Sequence, residues 1–348
     1  MNGNTFIDAP CFKTTVNVVP IVSSLELGEA PHWDPWHQAL FFVNILQGYI
    51  HKYELATKRH TKTKLAGRVG FIVPVEGTRD QYVVGVERTF VVVRWDGEEG
   101  SPASVVRELA TVDKDVMTTA INDGKADPRG RLYAGTMSDK PIGTLLQQQA
   151  AGLGSFYRLD DNGITKLDDG IGISNGLAWD LKKRAMYYTD SLEFKIRKYD
   201  YDVETGEISN PKYIFDISNN SLGAVQDGTT IDSNGNLWVA LLKGYGVIQI
   251  DPNGKILQRV DIPARQVTSV AFGGPNYDIL FVTTGCMDLN DGVIQQGSCC
   301  GCTFMVTGLG VKGLPADNFR LSDRFKPGPT KGSKAGRGDK KEKINKDG

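Results

Sequence analysis

The sequence predicts an all-β chain: one six-bladed β-propeller of four-stranded blades, followed by a disordered C-terminal tail. Three observations lead there. Strand-sized apolar runs follow one another with almost no helical periodicity. Gly fills 40 of the 348 positions and Pro 15, above the roughly 12% that the two normally share. One sequence pattern, an apolar strand, a polar turn and a second apolar strand, recurs along the chain.

The strands are β-branched and aromatic and are bounded by Gly, Asn, Asp and Pro: LFFVNI (40–45), YIHKYEL (49–55), QYVVGV (81–86), TFVVVRW (89–95), RLYAGTM (131–137), AMYYTD (185–190), NLWVALL (236–242) and ILFVTT (279–284). Taking Asp34, Asp127, Asp180, Asp232 and Gly273 as turn markers, the gaps are 93, 53, 52 and 41 residues. The first gap holds two units, the second being GFIVPVEGTRDQYVVGVE (70–87) with its turn at GTRD. That makes six units of roughly 40–50 residues, the length of a four-stranded propeller blade. The Asp or Gly of each turn is expected to supply the left-handed conformations of a tight hairpin. TVNVVPIV (15–22) is expected to complete the last blade and close the ring. The one helix-like piece, TLLQQQAAGL (144–153), reads as an inserted loop or lid, with Leu145, Leu146 and Leu153 as its apolar face.

The propeller should occupy residues 1–320 and the tail 321–348, with truncation after about Pro315 leaving thermal stability nearly unchanged. The tail carries nine basic against four acidic residues, +5, which leaves −6 on the body. An acidic body speaks against nucleic acid as a partner and agrees with cation binding. The RGD at 337–339 reads as part of a solvated tail. No apolar run approaches the ~18 residues of a bilayer span, and the N-terminus lacks the pattern of a signal peptide. Five cysteines (Cys11, Cys286, Cys299, Cys300 and Cys302) are an odd set without that leader. They are expected as free thiols in a reducing, cytoplasmic protein, with CCGC (299–302) in a surface loop. A structural zinc site needs four ligands, and no His lies near this cluster.

Propeller blades radiate from a channel, so the residues just before each repeat's first strand converge at one mouth. They include Glu29 in LGEAPHW, Asn122 and Asp123 in INDGKADP, Asn175 in SNGLAW and Asp227 in QDGTTID. The second unit contributes Val73 and Pro74, the sixth Thr268 and Ser269. Asn and Asp before Gly are also ordinary turn formers. Their recurrence at one repeat position, together with Glu29, which is no turn former, points to an oxygen-rich cluster suited to a hard divalent cation.

The motifs LGEAPHWD, INDGKADPRGRLYAGTM, ISNGLAWD, QDGTTIDSNGNLWVA, QVTSVAFGGPN and VTGLGVKG, in order from about residue 25 to 314, resemble the senescence marker protein/regucalcin family. That family includes gluconolactonases and the insect luciferin-regenerating enzymes, and the last two motifs look closest to the insect branch. The resemblance implies a six-bladed propeller with one divalent cation held by Glu29, Asn175 and Asp227, Ca²⁺ first, with Zn²⁺, Mg²⁺ or Mn²⁺ as alternatives. It implies hydrolysis of a cyclic ester, the cation polarising the carbonyl and acidifying the attacking water. Asp227 would be the catalytic base, with Asn122 and neighbouring Asp123 facing the substrate. No GxSxG nucleophile elbow is present.

Two positions depart from the family pattern. Where it usually carries Arg two residues before the NDG asparagine, this chain has Ala120. That removes one or two charge-assisted hydrogen bonds to a sugar lactone, each worth about 1.5–3 kcal/mol. Where the mammalian branch has an acid after YAGTM, this chain has Lys140. Gln226 also replaces a common Pro in QDG. The expected protein is therefore a monomeric or weakly dimeric hydrolase of a small lactone or ester more apolar than gluconolactone, with neither nucleic acid nor membrane as partner. The runner-up is a cation-binding protein of the regucalcin type with little turnover. A propeller serving only as a protein-interaction platform would leave Glu29, Asn175 and Asp227 unexplained.

Overall fold

A computed structural model describes residues 15–148, 152–293 and 299–322. The described chain is almost entirely antiparallel β. After β1 (Asn17–Val22), four strands form the first sheet in sequence order: β2 (Gly28–Asp34), β3 (Ala39–Asn44), β4 (Tyr49–Glu54) and β5 (His60–Lys64). The same order repeats in β6 (Val69–Pro74), β7 (Gln81–Val86), β8 (Thr89–Arg94) and β9 (Ser104–Thr111), and in β10 (Thr119–Ala126), β11 (Leu132–Ser138), β12 (Gly154–Asp160) and β13 (Gly163–Ile171). It repeats again in β14 (Ser174–Asp180), β15 (Ala185–Asp190), β16 (Lys195–Tyr201) and β17 (Ile208–Asp216).

The remaining eight strands, the last seven and β1, depart from six separate sheets. One run is β18 (Val225–Ile231), β19 (Leu237–Leu242), β20 (Gly246–Ile250) and β21 (Ile256–Asp261). The other is β22 (Gln266–Gly273), β23 (Ile279–Gly285), β24 (Thr303–Thr307) and β1. They fuse into one eight-stranded sheet through a single pair, Leu242 with Gln266. The short connection from β21 to β22 brings those two strand ends together. The N-terminal strand pairs antiparallel with β24, from Asn17 opposite Thr307 to Val22 opposite Thr303, as the sequence led one to expect.

The innermost strands β2, β6, β10, β14, β18 and β22 each pack on the next, and β22 returns to β2, giving a closed, propeller-like ring. These strands are buried along nearly their whole length. The apolar core lies between adjacent sheets, in clusters such as Phe41, Phe71, Tyr82 and Phe90, or Trp238, Phe272 and Phe304. No described helix is long and apolar enough to cross a membrane.

Several expectations change. The repeated Asp does close each turn, but by accepting backbone N–H groups. Asp127 Oδ1 takes those of Arg129 (2.8 Å) and Arg131 (2.9 Å), and Asp232 Oδ1 those of Asn234 (2.9 Å) and Asn236 (3.0 Å). The left-handed residues stand nearer the following strand, for example Gln38, Gly130 and Gly235. The segment after β11 is a short helix, α1 (Ile142–Gln148), whose Leu145 is buried against Met137 and Ile173. Cys286 and Cys300 form a disulfide, so the free-thiol reading fails for that pair, and Cys302 lies in the core rather than on a surface loop. The bond forms because the β23 exit and the turn before β24 bring those residues to a Cα separation of 5.1 Å. Cys11 and the tail from residue 323 onward lie outside the described residues.

The chain also stays docked beyond Pro315. Phe319 is 1% exposed and pairs with Val75; its N–H donates to Pro74 O (2.9 Å), and its carbonyl accepts from Glu76 N (2.8 Å). A cut after Pro315 would remove this anchor, contrary to the expectation from composition.

Candidate functional site

One irregularity recurs in all six inner strands. Pairing with the second strand slips near the inner strand's start: between Glu29 and His32, Val69 and Ile72, Ile121 and Gly124, Ser174 and Leu177, Gln226 and Thr229, and Val267 and Ser269. A bulge of this kind breaks the ladder locally and re-aims side chains. Glu29, Asn122, Asp123, Asn175 and Asp227 all fall at or within these slips. Their Asn-Gly and Asp-Gly pairs are thus strand residues and not hairpin turns. The glycines serve close approach: a Cβ on Gly176 would strike Thr229 and the Asp227 backbone of the next inner strand, and one on Gly228 would strike Ser269.

Glu29, Asn122, Asn175 and Asp227 line one cavity at this end of the ring, together with Ser191. Residues up to 198 positions apart in the sequence thereby meet. Leu27, Ile142, Leu146, Ile173, Leu242 and Met287 complete the wall. The segment after β11 does reach the cavity, through Ile142 and Leu146, whereas Leu145 packs into the core and Leu153 is 45% exposed.

The amides form a chain. Asn122 Nδ2 donates to Ser174 O (2.8 Å) and to Asn175 Oδ1 (3.1 Å). Asn175 Nδ2 donates to Ser191 Oγ (2.8 Å), which donates to Gln226 O (2.7 Å). Gln226 Nε2 in turn holds Phe194 O (2.9 Å). Ser191 went unnoticed in the sequence because it lies in a 3-10 turn (Ser191–Glu193) after the second strand of its sheet, outside the repeat position that carries the other groups. Met287 was missed as well. Its backbone is clamped by Gln266, which accepts from Met287 N (3.0 Å) and donates to Met287 O (2.7 Å).

Other predicted positions stand apart. Ala120 is buried on β10 and Lys140 is exposed before α1; neither lines the cavity. Val73 and Pro74 occupy the far end of β6, where Phe319 docks; the positions of β6 within its slip are Gly70 and Phe71. Thr268 spends its hydroxyl on Gly28 O (2.5 Å).

Burial dominates the electrostatics. It raises the Glu29 carboxyl well above the usual carboxylate range, and the Asp227 and Asp123 charges raise it further. Asp227 is raised well above that range by burial and then by Asp123, and Asp123 is raised by burial. Burial lowers Lys125, against the pull of Asp123 and Glu29. The Lys125 ammonium interacts with Glu29 and Asp123 but not with Asp227, so the three carboxylates, when ionised, keep two negative charges uncompensated; Asp123 Oδ2 has no hydrogen-bond partner among the described residues. An all-oxygen donor set with this deficit fits a hard divalent cation. Among the described residues no group of three or more His, Cys, Asp or Glu side chains forms a ready metal cage; the ligand set suggested by the sequence has two carboxylates and an amide.

The comparisons with known proteins agree with this architecture. Regucalcin from Xenopus laevis is 33% identical over 308 residues, covering 88% of this chain and 99% of the relative. A solved luciferin-regenerating enzyme is 36% identical with a TM-score of 0.82, covering 88% of this chain and all of that one. A calcium-binding protein, regucalcin, from Agrobacterium tumefaciens shares the fold at 24% identity and a TM-score of 0.75, over 87% of this chain and 97% of the other. The profile of the SMP-30/Gluconolactonase/LRE-like region matches residues 27–286. The chain belongs to the SMP-30/gluconolactonase/LRE-like family.

Proposed function

We propose that this protein is a divalent-cation-dependent hydrolase of a small lactone or related ester, built as a six-bladed propeller in which the fused sheet counts as two blades. The observation that carries the reading is the convergence of Glu29, Asn122, Asn175 and Asp227, from four inner strands, on one buried cavity. Glu29, Asn175 and Asp227 would hold the cation, Ca²⁺ by preference for an all-oxygen set. When bound, it supplies Lewis-acid polarisation of the ester carbonyl and acidification of water.

The remaining work belongs to the chain's own side chains. Asp227 is buried, and among the described residues its carboxylate is held by the Gly228 backbone N–H and by no side-chain donor, so it can take a proton from the attacking water. Asn122 orients Asn175 through its amide and faces the substrate. Leu27, Ile142, Leu146, Ile173, Leu242 and Met287 exclude water and favour a substrate with few hydroxyls. With Ala120 in place of the usual Arg, this supports a target more apolar than gluconolactone.

Turnover of a panel of lactones and aryl esters, before and after EDTA and with Ca²⁺, Zn²⁺, Mg²⁺ or Mn²⁺ restored, tests the reading. Hydrolysis that EDTA abolishes and one cation restores is the expected result. A second reading, cation binding with little turnover, draws on the relatives named regucalcin. Stoichiometric Ca²⁺ binding by calorimetry, with no hydrolysis across the panel, would select it instead.

A further inference from the structure

The inner strands continue past the acidic cavity to the opposite end of the ring. Three residues further along each strand, roughly 10 Å at about 3.3 Å per residue, Glu29 gives way to His32, Asn122 to Lys125, Asn175 to Ala178, Asp227 to Thr230 and Ser269 to Phe272. These residues line a second cavity of about 310 Å³, within the range of small-molecule sites, about 300–1,000 Å³. Its walls are apolar: Leu177, Trp179, Ile231 and Phe272 from the strands, Leu314 and Pro315 from the C-terminal segment.

A few polar groups converge on this apolar wall, and some lack partners. His32 is 6% exposed and its Nε2 has none; Trp179 is 7% exposed and its Nε1–H has none. A buried unpaired donor or acceptor costs about 1–3 kcal/mol, a cost that a ligand atom would relieve. Lys125 is half-buried. Its ammonium donates to Leu177 O (3.2 Å) and to Thr229 O, which leaves one of its three N–H groups.

We propose that this end of the channel is a second binding pocket, which takes a small apolar molecule ending in a carboxylate. The apolar wall receives the hydrocarbon part, and the Lys125 ammonium and Trp179 N–H receive the acid oxygens. His32, pushed down to about 4 mainly by burial, is a neutral imidazole at physiological pH and can donate or accept at the same end. Asp317 shares the cavity, and burial with the Asp127 charge holds its carboxyl up near 7. It carries its proton below neutrality, so it does not then repel a second carboxylate. The pocket does not rest on the hydrolase reading: none of its lining residues lines the acidic cavity, and the electrostatic link between the two is the Lys125 ammonium, which also feels the Glu29 and Asp123 charges.

The test is isothermal titration of the full chain at pH 6.5 in EDTA with octanoate, and separately with 1-octanol. One octanoate per chain is expected, at least 10-fold tighter than octanol. Ala316→Trp, which narrows the pocket from its C-terminal wall, should weaken octanoate at least 10-fold with the melting temperature unchanged. Lys125→Met should erase the preference for octanoate over octanol. Asp227→Ala should leave octanoate binding as it is, because the acidic cavity is not the site. Equal affinity for octanol and octanoate, full octanoate affinity in Ala316→Trp, loss of binding in Asp227→Ala or absence of octanoate binding would each overturn the proposal.

Discussion

Asn122 Nδ2 lies 3.1 Å from Asn175 Oδ1 and donates to it, so a single hydrogen bond joins two strand bulges 53 residues apart in the sequence. The bond fixes which atom of Asn175 turns toward the cavity, because the Asn175 amide nitrogen is engaged by Ser191 on its other side (2.8 Å). The candidate ligands are thus oriented by partners on neighbouring inner strands and turns. Such outer partners commonly decide how well a metal site works.

Asp227→Ala should abolish cation-dependent hydrolysis while leaving the circular dichroism spectrum intact. The Asp227 carboxylate is buried and raised well above its usual range, so removing it deletes a strained charge and not a fold contact. The EDTA-treated variant should melt no lower than the EDTA-treated parent. Retained cation-dependent activity would remove Asp227 from the mechanism.

Ser191→Ala should weaken cation affinity by about 10-fold or more, the usual scale for losing a partner that orients a ligand. Asn175 loses its Nδ2 acceptor, and the link from Ser191 to Gln226 O disappears. Calorimetric titration with Ca²⁺ reads the shift, and Ser191→Thr, which keeps the hydroxyl, should restore most of it.

Leu146→Ala tests the apolar wall. Uncovering that side of the cavity removes about 2 kcal/mol of hydrophobic contact, which corresponds to roughly 30-fold in kcat/KM. The loss should appear for an apolar aryl ester and be much smaller for gluconolactone. Equal losses on both substrates would show that Leu146 supports the fold and does not read the substrate.

Asp317→Asn should change the pH dependence of stability. The Asp317 carboxyl, held near 7 against an ordinary 3.8, binds its proton more tightly in the folded chain than in the unfolded one. Its stabilising contribution is complete below pH 3.8 and is lost as pH rises through about 7. The variant keeps a neutral group at every pH. Its melting temperature relative to the parent should therefore climb between pH 4 and pH 8, by about 4 °C. A difference that stays flat with pH would mean that the carboxyl titrates normally.

Phe319→Ala should lower the melting temperature by about 5–10 °C, since emptying a fully buried Phe site costs about 3–5 kcal/mol. A Phe319→Leu variant should recover most of the loss. An unchanged melting temperature would mean that residues beyond Pro315 do not anchor the ring.

The sequence by itself determined the class of fold and the cast of the candidate site. Strand-sized apolar runs and a repeat of 40–50 residues can bury their surface only by stacking sheet on sheet, and the repeat position of Glu29, Asn122, Asn175 and Asp227 singled them out. Only tertiary structure decided how those residues meet. The repeated slips in strand pairing depend on how closely the inner strands approach, and the alternation of side chains along a strand does not encode that distance. Ser191 and Met287 reach the cavity from turns whose place is set by the packing of neighbouring sheets. Cys286 and Cys300 pair, and Phe319 docks beside Pro74, because strands distant in sequence end side by side. Composition registers charge and hydropathy along the chain and is blind to that proximity.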